Sequence, residues 1–128
     1  MRIPVTTLND GYDFPLLGLG TYKLSDEDVN KVIRRAIELG YRHIDTASFY
    51  GNEEAVGKAL NDAISAGDVT REDLFVTTKL WNDDQDRVAA AYQESLKRLD
   101  LEFIDLYLVH WPWPQTVSYT HLRAHETS

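Results

Sequence analysis

Four side chains of complementary chemistry fall at places where a repeating architecture would bring them together. Asp45 closes "HID", Lys79 follows "FVTT", His110 follows "DLYLV", and Tyr50 lies five positions past Asp45 in "TASFYGN". The set suits proton transfer to a carbonyl oxygen. A free phenol titrates near 10, too high for an ideal acid at neutral pH. An ammonium beside a phenol stabilises the phenolate, and a carboxylate beside the ammonium keeps it charged and oriented. A neutral imidazole can donate a hydrogen bond to the substrate oxygen and hold it in place. Other chemistries lack their parts. No serine sits in a G-x-S-x-G turn, and "GLG" at 18–20 continues as Thr-Tyr-Lys rather than as a phosphate loop. No H-x-H strand end suggests a metal-dependent hydrolase, and the absence of cysteine removes disulfides and thiolate chemistry together.

Taken singly, each residue has an ordinary explanation. A strand-end Asp often caps a helix, a lone Lys is usually a solvated charge, and Tyr50 would serve as a rim aromatic. A His in an apolar strand is more often a satisfied core residue. The spacing favours the functional alternative. Asp45 to Lys79 is 34 residues and Lys79 to His110 is 31, and one βαβ unit takes about 30. Parallel strands one unit apart deliver their last residues to the same carboxyl-terminal edge, where α/β proteins build active sites.

The elements that must do this positioning are legible. "VTTLNDGYDFPLL" reads as two short strands around an Asp-Gly turn, and "LGLG" as a further strand. Ser25 is placed to cap a helix, with Asp28 completing a capping box; Val29, Val32, Ile33, Ala36 and Ile37 repeat at helical spacing, and Gly40 ends it. Val56, Leu60, Ala63 and Ile64 mark a second helix ending at Gly67, and Val88, Tyr92, Leu96 and Leu99 a third. "HID", "LFVTTKL" and "FIDLYLVHW" are the intervening strands. Ser48, Gly51 and Asn52, around Tyr50, are expected outside the core. Strands without clean alternation belong to sheets covered on both faces, and alternating βα units imply parallel pairing. The expected class is α/β; periodicity alone leaves an open doubly wound sheet and a barrel both standing.

Composition bounds the setting. The chain has 128 residues, 43% of them hydrophobic, enough for the core of about one domain. A net charge of −8 argues against a nucleic-acid partner, which needs a clustered basic surface. No apolar run approaches the roughly 20 residues of a membrane span and no signal-peptide pattern opens the chain, so no membrane partner and a cytoplasmic protein are expected.

"GYRHIDTASFYGNEEAVG" resembles the first signature of the aldo-keto reductase superfamily through Gly40, Arg42, Asp45, Glu53, Val56 and Gly57, and "PLLGLGTYKL", "TTKLWN" and "DLYLVHWP" are similar to supporting stretches. Within the family it most resembles the bacterial 2,5-diketogluconate and methylglyoxal or aldehyde reductases. The resemblance implies the amino-terminal half of a (β/α)8 TIM barrel, NADPH (NADP) as cofactor without a Rossmann fold, a small carbonyl substrate, and a monomeric full-length parent. It implies catalytic roles for Asp45, Tyr50, Lys79 and His110, with Tyr50 the general acid. It places Gly20, Thr21 and Asp45 near the nicotinamide ribose, and Tyr22, Phe49, Trp81 and Trp111 in the substrate wall. No metal is implied. The alternative is a non-catalytic binding or structural member of the superfamily.

The resemblance covers residues 1–114. The segment 115–128, ending "TVSYTHLRAHETS", has no helical apolar face and is expected to be a non-native tail; its His121 and His125 are four apart, but Leu122 stands where a zinc-binding helix needs Glu. The 128-residue chain by itself is expected to be inactive.

Overall fold

The computed structural model describes residues 5–7, 11, 13–15 and 17–110. Strands β1 (Val5–Thr7) and β2 (Asp13–Pro15) pair antiparallel, Thr7 opposite Asp13. Then follow β3 (Gly18–Gly20), α1 (Asp26–Glu38), β4 (His43–Asp45), α2 (Glu53–Ser65), β5 (Phe75–Leu80), α3 (Val88–Leu99) and β6 (Leu106–Val109). The last four strands form one parallel sheet in the order β3-β4-β5-β6. Strand order follows chain order with no reversal. That is the arc of a barrel, not a doubly wound sheet, and it decides what periodicity left open.

Helices α1 and α2 form where their apolar faces predict, and α1 carries its expected Ser25 cap. Ser25 Oγ accepts the Asp28 backbone N–H at 3.2 Å, and Asp26, Glu27 and Asp28 place negative charge at the positive end of the α1 dipole. Val29, Ile33 and Ile37 of α1 pack with Val56, Leu60 and Ala63 of α2, Leu99 of α3, and Ile44 and Val76 of the sheet in one core. Gly57 is where α2 and α3 meet; a methyl group there would collide with the Leu99 carbonyl. On α3 the expected face needs correction. The buried residues are Ala91, Ser95 and Leu99, while Tyr92 and Leu96 are only half-buried and Val88 is exposed. Polar Ser95 is inside because a buried carboxylate needs its hydroxyl.

Period-2 alternation sorts the strands. Ile44 and Val76 face the helices, and His43, Asp45, Thr77 and Lys79 face the opposite, inner side. The hairpin reaches this inner side at its amino-terminal end, where the His43 ring hydrogen-bonds the Pro15 backbone. His43 Nε2 and Thr77 Oγ1 are 2.9 Å apart, one layer beneath Asp45 and Lys79. No helix among the described residues is long and apolar enough to cross a membrane. Residues 111–128, and with them Trp111, the 114/115 boundary, His121 and His125, lie outside the described residues.

Candidate active site

The site stands at the carboxyl ends of β4, β5 and β6. Asp45 ends β4 and hydrogen-bonds through Oδ1 to Lys79 Nζ, which also donates to the Thr46 carbonyl at 3.1 Å. Lys79 is the penultimate residue of β5, and its side chain is 15% exposed against 39% for Asp45. His110 directly follows β6, and its backbone N–H donates to the Leu80 carbonyl at 2.9 Å. Tyr50 lies in the 3-10 turn Ser48–Tyr50. That turn is tied to β5 by Ser48 Oγ, which donates to the Lys79 carbonyl at 3.1 Å.

These elements converge. Lys79 Nζ sits 5.3 Å from the centroid of the Tyr50 ring, and the His110 ring meets Tyr50 edge-on at 5.5 Å. Burial, then the charge of Lys79, holds the His110 pKa below its ordinary 6.5, with Asp45 pulling the other way. The ring is therefore neutral at pH 7. Phe49 stacks on Trp81 at 3.9 Å, Trp81 approaches His110 at 5.5 Å, and Tyr22 leans on Tyr50 at 5.0 Å. All four expected catalytic residues come together, and three of the four expected pocket aromatics border them.

The residues expected near a cofactor divide. Gly20 neighbours Asp45 in register, and the space where its side chain would be is open. Thr21 is fully buried and spends its hydroxyl on Thr46 Oγ1 at 2.9 Å. Asn52 overturns the expectation that it lies outside the core, for it is 3% exposed and hydrogen-bonded on several sides. Glu53, quoted above only as part of a signature, accepts from Thr78 Oγ1 at 2.6 Å, Ser95 Oγ at 3.2 Å and Arg98 Nε at 2.7 Å, with 1% of its side chain exposed. A signal for Glu53 existed: positions 53, 56, 60 and 63 share one helical face, the buried one.

Fold and site together define a parallel β/α protein with an ion pair, a phenol and an imidazole gathered at the carboxyl mouth of its strands. The model of the Aldo/keto reductase family matches residues 16–126. The chain is 57% identical over 110 residues to the methylglyoxal reductase DkgA of Salmonella typhimurium, covering 86% of this chain and 38% of that protein. It is 47% identical over 108 residues to an NADP-dependent D-sorbitol-6-phosphate dehydrogenase of Malus domestica, covering 84% of this chain and 35% of that one. A crystal structure of a Bombyx mori aldo-keto reductase, AKR2E4, in complex with NADP superposes with a TM-score of 0.88 at 46% identity, over 96% of this chain and 45% of that one. The chain belongs to the aldo/keto reductase family. It spans less than half the length of these relatives.

Proposed function

We propose that this sequence is the amino-terminal part of an NADPH-dependent reductase that converts aldehyde and ketone carbonyls to alcohols, with Tyr50 as the general acid. The observation that carries it is the Asp45–Lys79 ion pair set 5.3 Å from the Tyr50 ring, with neutral His110 against the same ring. When bound, the nicotinamide supplies the hydride that the carbonyl carbon receives. Tyr50 gives its proton to the carbonyl oxygen as charge develops there. Lys79 stabilises the phenolate left behind, and Asp45 holds the ammonium in place. His110, neutral, donates a hydrogen bond that orients the oxygen. Tyr22 and the Phe49–Trp81 stack wall the carbonyl from water. Gly20 and Asp45 would border the cofactor's ribose, since Gly20 leaves open room on the inner face beside Asp45. Thr21 keeps its hydroxyl inside the fold.

Methylglyoxal is the first substrate to test, because relatives at 57% identity carry that name. The full-length parent should consume NADPH with methylglyoxal, followed by nicotinamide absorbance. Tyr50→Phe should lower kcat at least 10²–10⁴-fold, roughly the worth of general acid catalysis. An unchanged kcat would remove Tyr50 from the mechanism.

We further infer that residues 1–128 do not turn over alone. Among the described strands, β3 and β6 each pair on one side only, and Leu108 of β6 is exposed. Open apolar edges favour self-association. In barrels of this kind the loops after later strands commonly grip phosphate. Size-exclusion chromatography and NADPH titration of the isolated chain should find association and no saturable binding. A soluble monomer that binds NADPH at micromolar concentration would refute this.

A further inference from the structure

Asn52 stands at the N-cap of α2, where an Asn side chain normally accepts a backbone N–H of the first turn. Here it makes no such bond. Its carboxamide is turned the other way, and Nδ2 donates to the carbonyls of Thr21 at 2.9 Å and Leu24 at 3.2 Å. Its Oδ1 accepts from Thr46 Oγ1 at 3.4 Å, and Thr46 Oγ1 in turn accepts from Thr21 Oγ1. All these side chains are buried. The helix forgoes its cap, and what it braces instead is the turn Thr21–Leu24, closed by Leu24 N–H onto the Thr21 carbonyl at 3.1 Å.

That turn is strained. Its third residue, Lys23, has φ of 63°, in the left-handed region that favours Gly or Asn. Such a residue persists where its surroundings over-determine it, and Asn52 holds the carbonyls on both sides of the Tyr22–Lys23 pair. The turn meets the site through Thr21, whose backbone N–H donates to the Asp45 carbonyl at 3.0 Å, and through Tyr22, 58% exposed, whose ring leans on Tyr50 at 5.0 Å.

We propose that Asn52 is a positioning residue, bracing the strained Tyr22–Lys23 turn so that Tyr22 stands against Tyr50 as a fixed wall of the substrate cleft. Asn52 touches no reacting atom. The proposal rests on the carbonyl-reductase reading for its kinetic consequence, but not for its structural one. Lys23 is the strained residue of the turn, and its Nζ also sits 5.5 Å from the centroid of the Tyr22 ring.

Asn52→Ser is the informative variant. Serine still caps a helix but is too short to reach both carbonyls, so α2 is preserved while the brace is lost. In the full-length parent, KM for methylglyoxal should rise on the order of tenfold, the worth of two ordinary hydrogen bonds, with kcat changed far less. Amide exchange at Leu24, whose N–H closes the turn, should quicken. Adding Lys23→Gly, which relieves the positive φ, should restore slow exchange there. Unchanged KM and unchanged exchange in Asn52→Ser would overturn the proposal. So would quickened exchange that Lys23→Gly does not repair, since Asn52 would then act by some route other than the turn. Tyr50→Phe separates the two readings. If it retains activity, the reductase assignment fails, and the exchange data still decide whether Asn52 braces the turn.

Discussion

Two carboxylate–cation pairs lie on neighbouring parts of this molecule, and they are built to opposite ends. Asp45 and Lys79 meet at the mouth of the sheet, where Asp45 keeps 39% of its side-chain surface. Glu53 and Arg98 meet behind the same strand, where Glu53 keeps 1%. Glu53 is claimed by Thr78, Ser95 and Arg98, one group each from β5 and two from α3. A buried charge is tolerable only when paired and hydrogen-bonded, so this network joins α2, β5 and α3, and Glu53 has almost no exposed surface to offer a ligand. Lys79 instead has the Tyr50 ring beside it and a partner, Asp45, that stays open to solvent. The same chemistry serves structure where it is closed; where it is left open, it forms the pair we propose for catalysis.

The largest effect that sharpens the contrast is on the open pair. Lys79→Met in the full-length parent should lower kcat by roughly 10²–10⁴-fold, as loss of a working acid would, with little change in stability. Asp45→Asn should also be severe. Because the two act as a unit, the double variant should lose much less than the product of the single losses. Strictly multiplicative losses would show that the pair is not a pair.

The closed pair should respond in stability. Arg98→Met leaves Glu53 buried with only two hydroxyls, and removing one partner of a buried pair costs about 3 kcal/mol. Arg98 is 36% exposed, so water recovers part of that. Denaturant unfolding should show the loss while kcat of the folded fraction holds. A variant as stable as the parent would break the comparison.

The smallest effect is on pH. Burial, the leading cause in both, lowers the pKa of His43 and His110 from 6.5; Lys79 adds to it and Asp45 opposes it. The unfolded chain then binds more protons than the native one just below pH 6.5. Stability should be full above that value and decline as pH falls through the lowered native pKa values. His43→Gln should flatten part of the slope in thermal melts. A melting temperature that rises on acidification through this window would reverse the sign.

Much of this was legible before any coordinates. Alternating apolar segments and capping residues determined the order of strands and helices, because local periodicity sets which face each element must bury. The unit-length intervals from Asp45 to Lys79 and to His110 determined that three ionisable groups share one edge, because parallel strands share a direction. What only the tertiary structure decided is which polar residues go inside. Asn52 looks like a solvated position beside Gly51, and polarity alone puts it outside; helical spacing marks the face of Glu53 but not the groups that let a carboxylate be buried there. Their burial depends on partners far along the chain: Thr21 and Leu24 for the one, Thr78, Ser95 and Arg98 for the other. The same holds for α3, where Ser95 is buried and serves Glu53 while Tyr92 and Leu96 are only half-buried. A polar side chain can leave water only where others complete its hydrogen bonds, and that completion is a property of the folded arrangement, not of any local stretch of sequence.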